Sequence, residues 1–184
     1  KMLEGKPSFR ESGHAEKIKE LFEHPESVII AHNAPFDIMM IKKEGIEPKK
    51  FICTLRVARH LDKEEKFGRH NLQYLRYFLD LDVEANAHDA LGDVLVLEKL
   101  FERLKKKILL DEKINEEEVI EKMIEISSHP SLLRKINFGK HSGKYIEEVL
   151  KTDRRYLEWL RSEKLKGGQN EEDWIYTLKH YLSR

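Results

Sequence analysis

The chain has 184 residues, 40% of them hydrophobic and 37% charged, with Lys+Arg and Asp+Glu equal at 34 each. That length suits one domain, or one domain with a small module, and the balanced charge makes no case for a polyanionic partner unless charge is segregated locally. One cysteine excludes an internal disulfide, no run reaches the roughly 18 apolar residues of a membrane span, and no signal-peptide pattern opens the sequence. The expectation is a cytoplasmic protein with no membrane partner, and Cys53, within Phe51-Ile52-Cys53, reads as a buried small side chain.

Ala15 to Phe22 has a helical spacing of Ile18, Leu21 and Phe22. Val28 to Ala31 is short, β-branched and bounded by Pro25 and His32-Asn33, which predicts a buried strand. Pro35 suits the first turn of a helix that stops at Gly45. A second strand is predicted at Phe51 to Thr54, followed by helices over Leu55–Leu61 and Leu72–Leu79. Residues 89–108 form the strongest helical pattern, with Leu91, Val94, Leu95, Leu97, Leu100, Phe101, Leu104 and Ile108 in register and Asp89 as a plausible N-cap. Strands alternating with helices argue for an α/β layered domain with a partly parallel sheet.

Charge divides the rest. Residues 1–110 carry 20 basic and 19 acidic side chains, residues 111–128 carry 2 and 7, and residues 129–184 carry 12 and 8. The expected organisation is a domain over 1–110, an acidic helical connector over 111–129 and a small basic module over 130–184. In the connector, Asn115 and Glu118 have capping-box spacing ahead of Val119, Ile120, Met123 and Ile124. The module is expected to hold a hairpin around Gly139-Lys140-His141-Ser142-Gly143 and a helix from about Asp153. After Gly167-Gly168, a last helix is capped by Asn170. Tyr156, Trp159 and Trp174 read as its core rather than as a base-stacking platform.

Two motifs carry chemistry: His32-Asn33-Ala34-Pro35-Phe36-Asp37 after the first strand, and His88-Asp89-Ala90-Leu91-Gly92-Asp93 at the head of the long helix. Each delivers a carboxylate to the end of an element, and the second adds an imidazole. Hydrolysis of a phosphodiester needs oxygen-ligated divalent cations and a base with a pKa near neutrality, which Asp and His supply. His88 and Asp93 are five apart, about 140° on a regular helix, so His88 must lie outside the helix to share a site with Asp93. Asp37 also has the simpler reading of an acid favoured by a helix N-terminus, and Asp93 that of a solvated helix face.

The stretch VIIAHNAPFD, then NLQYL, then HDALGD resembles the DEDDh group of 3′→5′ exonucleases over roughly residues 1–107. The resemblance implies a ribonuclease H-like α/β domain, two Mg²⁺ or Mn²⁺ ions held by Asp37 and Asp93, and His88 as general base. It further implies substrate contacts at His32, Asn33 and Phe36, with a single-stranded nucleic acid or frayed 3′ end as partner, for which the resemblance of the C-terminal module alone points to DNA. A DNA polymerase is a further expected partner. The group's first motif, Asp-x-Glu, belongs on an earlier strand, and no aspartate precedes Asp37 here. The same spacing recurs at Asp62-Lys63-Glu64 and Asp82-Val83-Glu84, in the wrong order for that role. The expectation is therefore an N-terminally truncated exonuclease domain, impaired as it stands. The rival expectation is a non-catalytic fragment that binds nucleic acid or a polymerase. Residues 134–144 (RKINFGKHSGK), with Tyr156-Leu157-Glu158-Trp159-Leu160, are similar to the small C-terminal α+β module of exodeoxyribonuclease X-like proteins. In that module Lys140, His141 and Lys144 are the expected phosphate contacts.

Overall fold

The computed structural model describes residues 8–83, 90–167 and 171–183. The chain divides into two compact units, Lys1–Ser128 and His129–Arg184.

In the first unit, helix α1 (Ala15–Glu23) precedes strand β1 (Val28–Ala31), helix α2 (Ala34–Lys43) and strand β2 (Lys50–Cys53). The two strands pair in parallel, with Val28 opposite Lys50 and Ala31 opposite Cys53. A parallel pair needs a crossover, and α2 is that crossover. Pro35 lies in its first turn, where a missing N–H leaves no bond unmade. Gly45 follows its end at φ +82, a conformation that glycine adopts without a Cβ penalty. Then come α3 (Thr54–Leu61), α4 (Leu72–Phe78), α5 (Ala90–Glu112) and α6 (Glu116–Ser128). The expected elements therefore appear close to their expected bounds, in a unit that is mostly helical around a small parallel sheet. The Asp89 cap expected for α5 lies outside the described residues.

Strand β1 is half-buried along its length, while Ile52 and Cys53 of β2 are fully buried. The asymmetry follows from α6, which packs on β2. Val119 and Met123 of α6 join Ile52, Val57, Leu75, Leu100, Leu104 and Ile108 in one core. Full burial of each such side chain contributes about 1.5–3 kcal/mol. Ser127 Oγ accepts the Cys53 backbone N–H at 2.8 Å, and the Ser127 carbonyl accepts from Arg56 at 2.7 Å. The acidic stretch expected to be a connector is thus a wall of the first unit, and the division falls after Ser128. Its charges sit on the outer face, which is why composition alone set it apart. The capping box forms as the spacing predicts: Asn115 Oδ1 accepts from the backbone of Glu117 and Glu118, and Glu118 accepts from Asn115 N–H, each at 2.9 Å.

In the second unit, residues 134–146 fold back on themselves through one antiparallel bridge, Lys135 with Tyr145, and flanking bonds from Gly143 N–H to Ile136 and Ile146 N–H to Arg134. A short 3₁₀ turn, Gly139–His141, forms the tip where a hairpin is expected. Helices α7 (Ile146–Thr152), α8 (Arg154–Lys166) and α9 (Glu172–Leu182) complete the unit. The seven-residue α7 is too short for its pattern to stand out in sequence. The core comprises Ile136, Ile146, Val149, Leu157, Leu160, Leu178 and Tyr181. Trp159 is not part of it: the side chain is 55% exposed, contrary to the expectation that it fills the core. Leu157 and Leu160 define the buried stripe of α8, and Trp159 stands about 200° and 100° from them on the helix. Gly168 and the Asn170 cap lie outside the described residues.

Candidate functional site

The site grows from the end of β1. After Ala31 the chain turns at Asn33, which is exposed and left-handed (φ 77, ψ 42), and α2 begins at once. A side-chain amide tolerates that conformation better than most residues. The turn sets Phe36, 43% exposed, and Asp37 in the first turn of α2. Asp37 is half-buried, and loss of solvent pushes its carboxyl above the ordinary carboxylate range, while a bond from its own backbone N–H pulls the other way.

His32 is held from both sides. Its Nε2 is 2.7 Å from the His70 carbonyl and its Nδ1 is 2.9 Å from Thr54 Oγ1. A carbonyl only accepts, so Nε2 carries the proton and Nδ1 accepts from the Thr54 hydroxyl. Burial, reinforced by the nearby Arg59 and His70, lowers its pKa to about 4. The sequence reading gives His32 a substrate contact; the structure gives it a tether between the end of β1, the start of α3 and the loop ahead of α4.

That loop leads straight to the second carboxylate. Asn71 caps α4 by accepting the Tyr74 N–H at 2.8 Å. Two residues on, Gln73 Nε2 donates to Asp93 Oδ1 at 2.6 Å. The stretch His70–Gln73 therefore ties both the turn that carries Asp37 and the first turn of α5 that carries Asp93. Gln73 is the residue that motif reading passed over; its only signal was its place in Asn71-Leu72-Gln73-Tyr74-Leu75, a polar side chain between two apolar helix positions. His88, the expected base, lies outside the described residues.

Asp62, one of the alternative acids, is buried and accepts the backbone N–H groups of Lys66 and Phe67 at 2.7 and 3.0 Å. It closes a loop and has no open face for a cation. A groove of about 470 Å³ between residues 79–82 and the middle of α5 is bordered by Asp82, Lys99, Arg103 and Lys106, and by neither Asp37 nor Asp93.

Asp37 and Asp93 are hard oxygen donors, the kind that Mg²⁺ and Mn²⁺ prefer. They fit such an ion in donor type. Among the described residues no three His, Cys, Asp or Glu side chains gather into a metal-holding group.

In the second unit the basic tip is largely engaged. Lys140 Nζ lies 2.7 Å and His141 Nε2 3.0 Å from Asp153 Oδ2. His141 is buried, with its ring edge-on to Tyr156. These two partners hold the Asp153 carboxyl down at about 2. Lys140 remains mostly in solvent despite the pair, and Lys144 is exposed. Gly139 sits at φ +64 where a Cβ would come 3.2 Å from the Tyr156 hydroxyl, so only glycine brings the tip this close to α8.

The chain matches known proteins in both units. The 3′-5′ exonuclease family model matches residues 7–89, and the exodeoxyribonuclease X-like C-terminal model matches residues 136–162. The first match contains Asp37 and His88 and ends before Asp93. Exodeoxyribonuclease 10 of Escherichia coli K12 and that of Escherichia coli O6:H1 are each 31% identical over 157 residues, covering 83% of this chain and 64% of theirs. The chain thus spans less than two thirds of the length of these relatives. No solved structure matches it. No helix among the described residues is long and apolar enough to cross a membrane. The chain is thus similar to exodeoxyribonuclease X-like proteins in both parts, with the 3′-5′ exonuclease match in the first unit and the exodeoxyribonuclease X-like C-terminal match in the second.

Proposed function

We propose that this protein carries out metal-dependent 3′→5′ hydrolysis of DNA, releasing nucleoside monophosphates from single-stranded or frayed 3′ ends. The observation that carries this reading is the tether His32–His70–Gln73–Asp93, which links the first turns of α2 and α5, each bearing a carboxylate.

In this reading Asp37 and Asp93 hold two Mg²⁺ or Mn²⁺ ions. When bound, such ions lower the pKa of a water and stabilise the leaving oxygen. His88 takes the proton of the attacking water as its oxygen bonds to phosphorus and the P–O3′ bond breaks; the leaving O3′ gains a proton. Asn33 and the half-exposed Phe36 meet the terminal nucleotide beside Asp37. His32 acts on the substrate only by fixing that turn. In the second unit, Lys144 and Lys140 offer phosphate contacts, and His141 positions the tip through Asp153.

With two carboxylates and no third ligand among the described residues, the 184-residue polypeptide is expected to hold the ions weakly and to turn over far below the roughly 10 s⁻¹ of a typical enzyme. The test is mononucleotide release from a 3′-labelled single strand with Mg²⁺ or Mn²⁺, using wild type, Asp37→Asn, Asp93→Asn and His88→Ala. Both Asp variants should lose metal binding and activity together. His88→Ala should lose turnover and keep metal binding. Release of oligonucleotides, digestion from the 5′ end, or activity that survives chelation would overturn the assignment, and turnover at an ordinary enzyme rate would overturn the expected impairment. That no third ligand gathers among the described residues also favours a second reading, a nucleic-acid-binding protein without catalysis. Unchanged strand binding with no Mn²⁺ binding at all would establish that reading instead.

A further inference from the structure

We propose that the outer face of α8 is a binding platform for single-stranded nucleic acid, with bases stacking on Trp159 and Tyr156 and phosphates meeting Arg155 and Lys140. Trp159 is more than half exposed on a helix whose buried stripe is Leu157 and Leu160. Trp174, by contrast, is partly buried against the core of the unit with its ring edge-on to Phe138. Trp159 does not stand alone. The Tyr156 ring lies beside it, with centroids 5.5 Å apart, and Lys140 Nζ lies 5.1 Å from the Tyr156 centroid. Arg155 precedes Trp159 by one helical turn on the same face, is exposed, and has no carboxylate partner among the described residues.

The charge around these rings selects the occupant. Residues 129–184 carry 12 basic and 8 acidic side chains, whereas residues 1–128 carry 22 and 26. The cationic surplus of the chain is therefore confined to this unit. Flat rings flanked by Arg155 and by Lys140, which is paired with Asp153 yet mostly in solvent, match a polyanion whose bases expose their faces, and only an unpaired strand exposes them. A duplex buries its bases against one another and would reach the cations alone. An apolar peptide would take the rings and leave the cations unused. The platform acts by binding and makes no use of the carboxylates of the first unit, so it stands or falls apart from the exonuclease reading.

Trp159 and Trp174 are the two tryptophans of the chain, so Trp174→Phe in the full 184-residue protein leaves Trp159 as the sole indole reporter. The experiment titrates this protein with 15-mers of deoxythymidylate and of uridylate, and with a duplex of equal length, in chelator at low salt. Both single strands should quench Trp159 emission, the duplex should not, and affinity should fall as salt rises. In the parent protein Trp159→Ala should weaken single-strand binding about tenfold, Trp159→Phe should retain most of it, and Arg155→Ala should reduce the salt slope by about one. A Trp159→Ala protein that binds as tightly as wild type would overturn the proposal, as would single-strand binding with no quenching. Self-association that depends on Trp159, seen by sedimentation without any nucleic acid binding, would assign the face to a second copy of the chain instead. Because no metal is present and no cleavage is read, failure here leaves the nuclease assignment untouched, and loss of nuclease activity leaves this platform untouched.

Discussion

Gln73 Nε2 donates to Asp93 Oδ1 at 2.6 Å, and the other amide atom, Oε1, is buried with no partner among the described residues. The amide can face only this way, because a carboxylate cannot donate to a carbonyl oxygen. One carboxylate oxygen is thereby fixed, and the proposed cation would take the other. Groups that orient a metal ligand are commonly worth 10–100-fold in metal affinity. Gln73→Ala should raise the Mn²⁺ concentration for half-saturation about tenfold, read by electron paramagnetic resonance, with the fold intact by circular dichroism. Gln73→Glu should bind still more weakly, since it sets a second anion against Asp93. Unchanged Mn²⁺ affinity in Gln73→Ala would remove Asp93 from the set of ligands.

His32 should make the protein sensitive to acid. Its pKa is about 4 in the fold against 6.5 for a free imidazole, so the unfolded chain binds the proton more readily. The stabilisation is complete above pH 6.5 and is lost as pH falls towards 4, by at most about 3 kcal/mol if the whole shift is realised. A denaturant midpoint measured against pH should fall across that window. His32→Gln, which cannot titrate, should flatten that part of the curve. An equally steep fall in His32→Gln would place the acid sensitivity elsewhere.

Helix α6 should behave as part of the first unit. Met123 is fully buried, and truncation of such a side chain to alanine costs about 2–5 kcal/mol. Ser127→Ala should cost about 1–3 kcal/mol, because the Cys53 N–H then has no acceptor in a dry setting. Chemical denaturation followed by far-ultraviolet circular dichroism measures both. Stability unmoved by Met123→Ala would restore residues 111–128 to the role of a linker.

Asp153 joins three elements: it accepts the Tyr156 N–H at 3.2 Å at the start of α8 and pairs with both Lys140 and His141. Asp153→Asn should lower the melting temperature and free the Lys140 and His141 side chains. Single-strand affinity at low salt should rise as a result, by a factor that shrinks as salt is added. The carboxylate's contribution to stability is present above its ordinary pKa near 4 and is lost as pH falls towards 2. If affinity instead drops with the melting temperature unchanged, Asp153 shapes the binding surface and does not restrain it.

Much of this protein is legible along the chain. Val28-Ile29-Ile30-Ala31 is a strand because it is β-branched and bounded by turn residues, and α5 is a helix because its leucines recur at the right interval. The Asn115–Glu118 cap is local chemistry at fixed spacing, and it forms as read. Asp37 and Asp93 stand out because an acid beside apolar neighbours at the end of an element is conspicuous in sequence. Local interactions of this kind act within a few residues, so sequence displays them directly.

What crosses the chain is not displayed. The acidic segment 111–128 looks like a linker because its charges outnumber its apolar residues, yet four turns of helix bring Val119, Met123 and Ser127 onto β2. His32 looks like a substrate contact until the carbonyl of His70, 38 residues away, accepts a hydrogen bond from its Nε2. Trp159 reads as core until the angle of α8 against Leu157 and Leu160 turns it to water. Pattern and spacing determined the elements and singled out the acids proposed for the site. Which face each element buries, and therefore which polar groups are engaged and which are left open, was decided by packing between residues far apart in sequence, where exclusion of water rewards only the arrangement that satisfies all of them together.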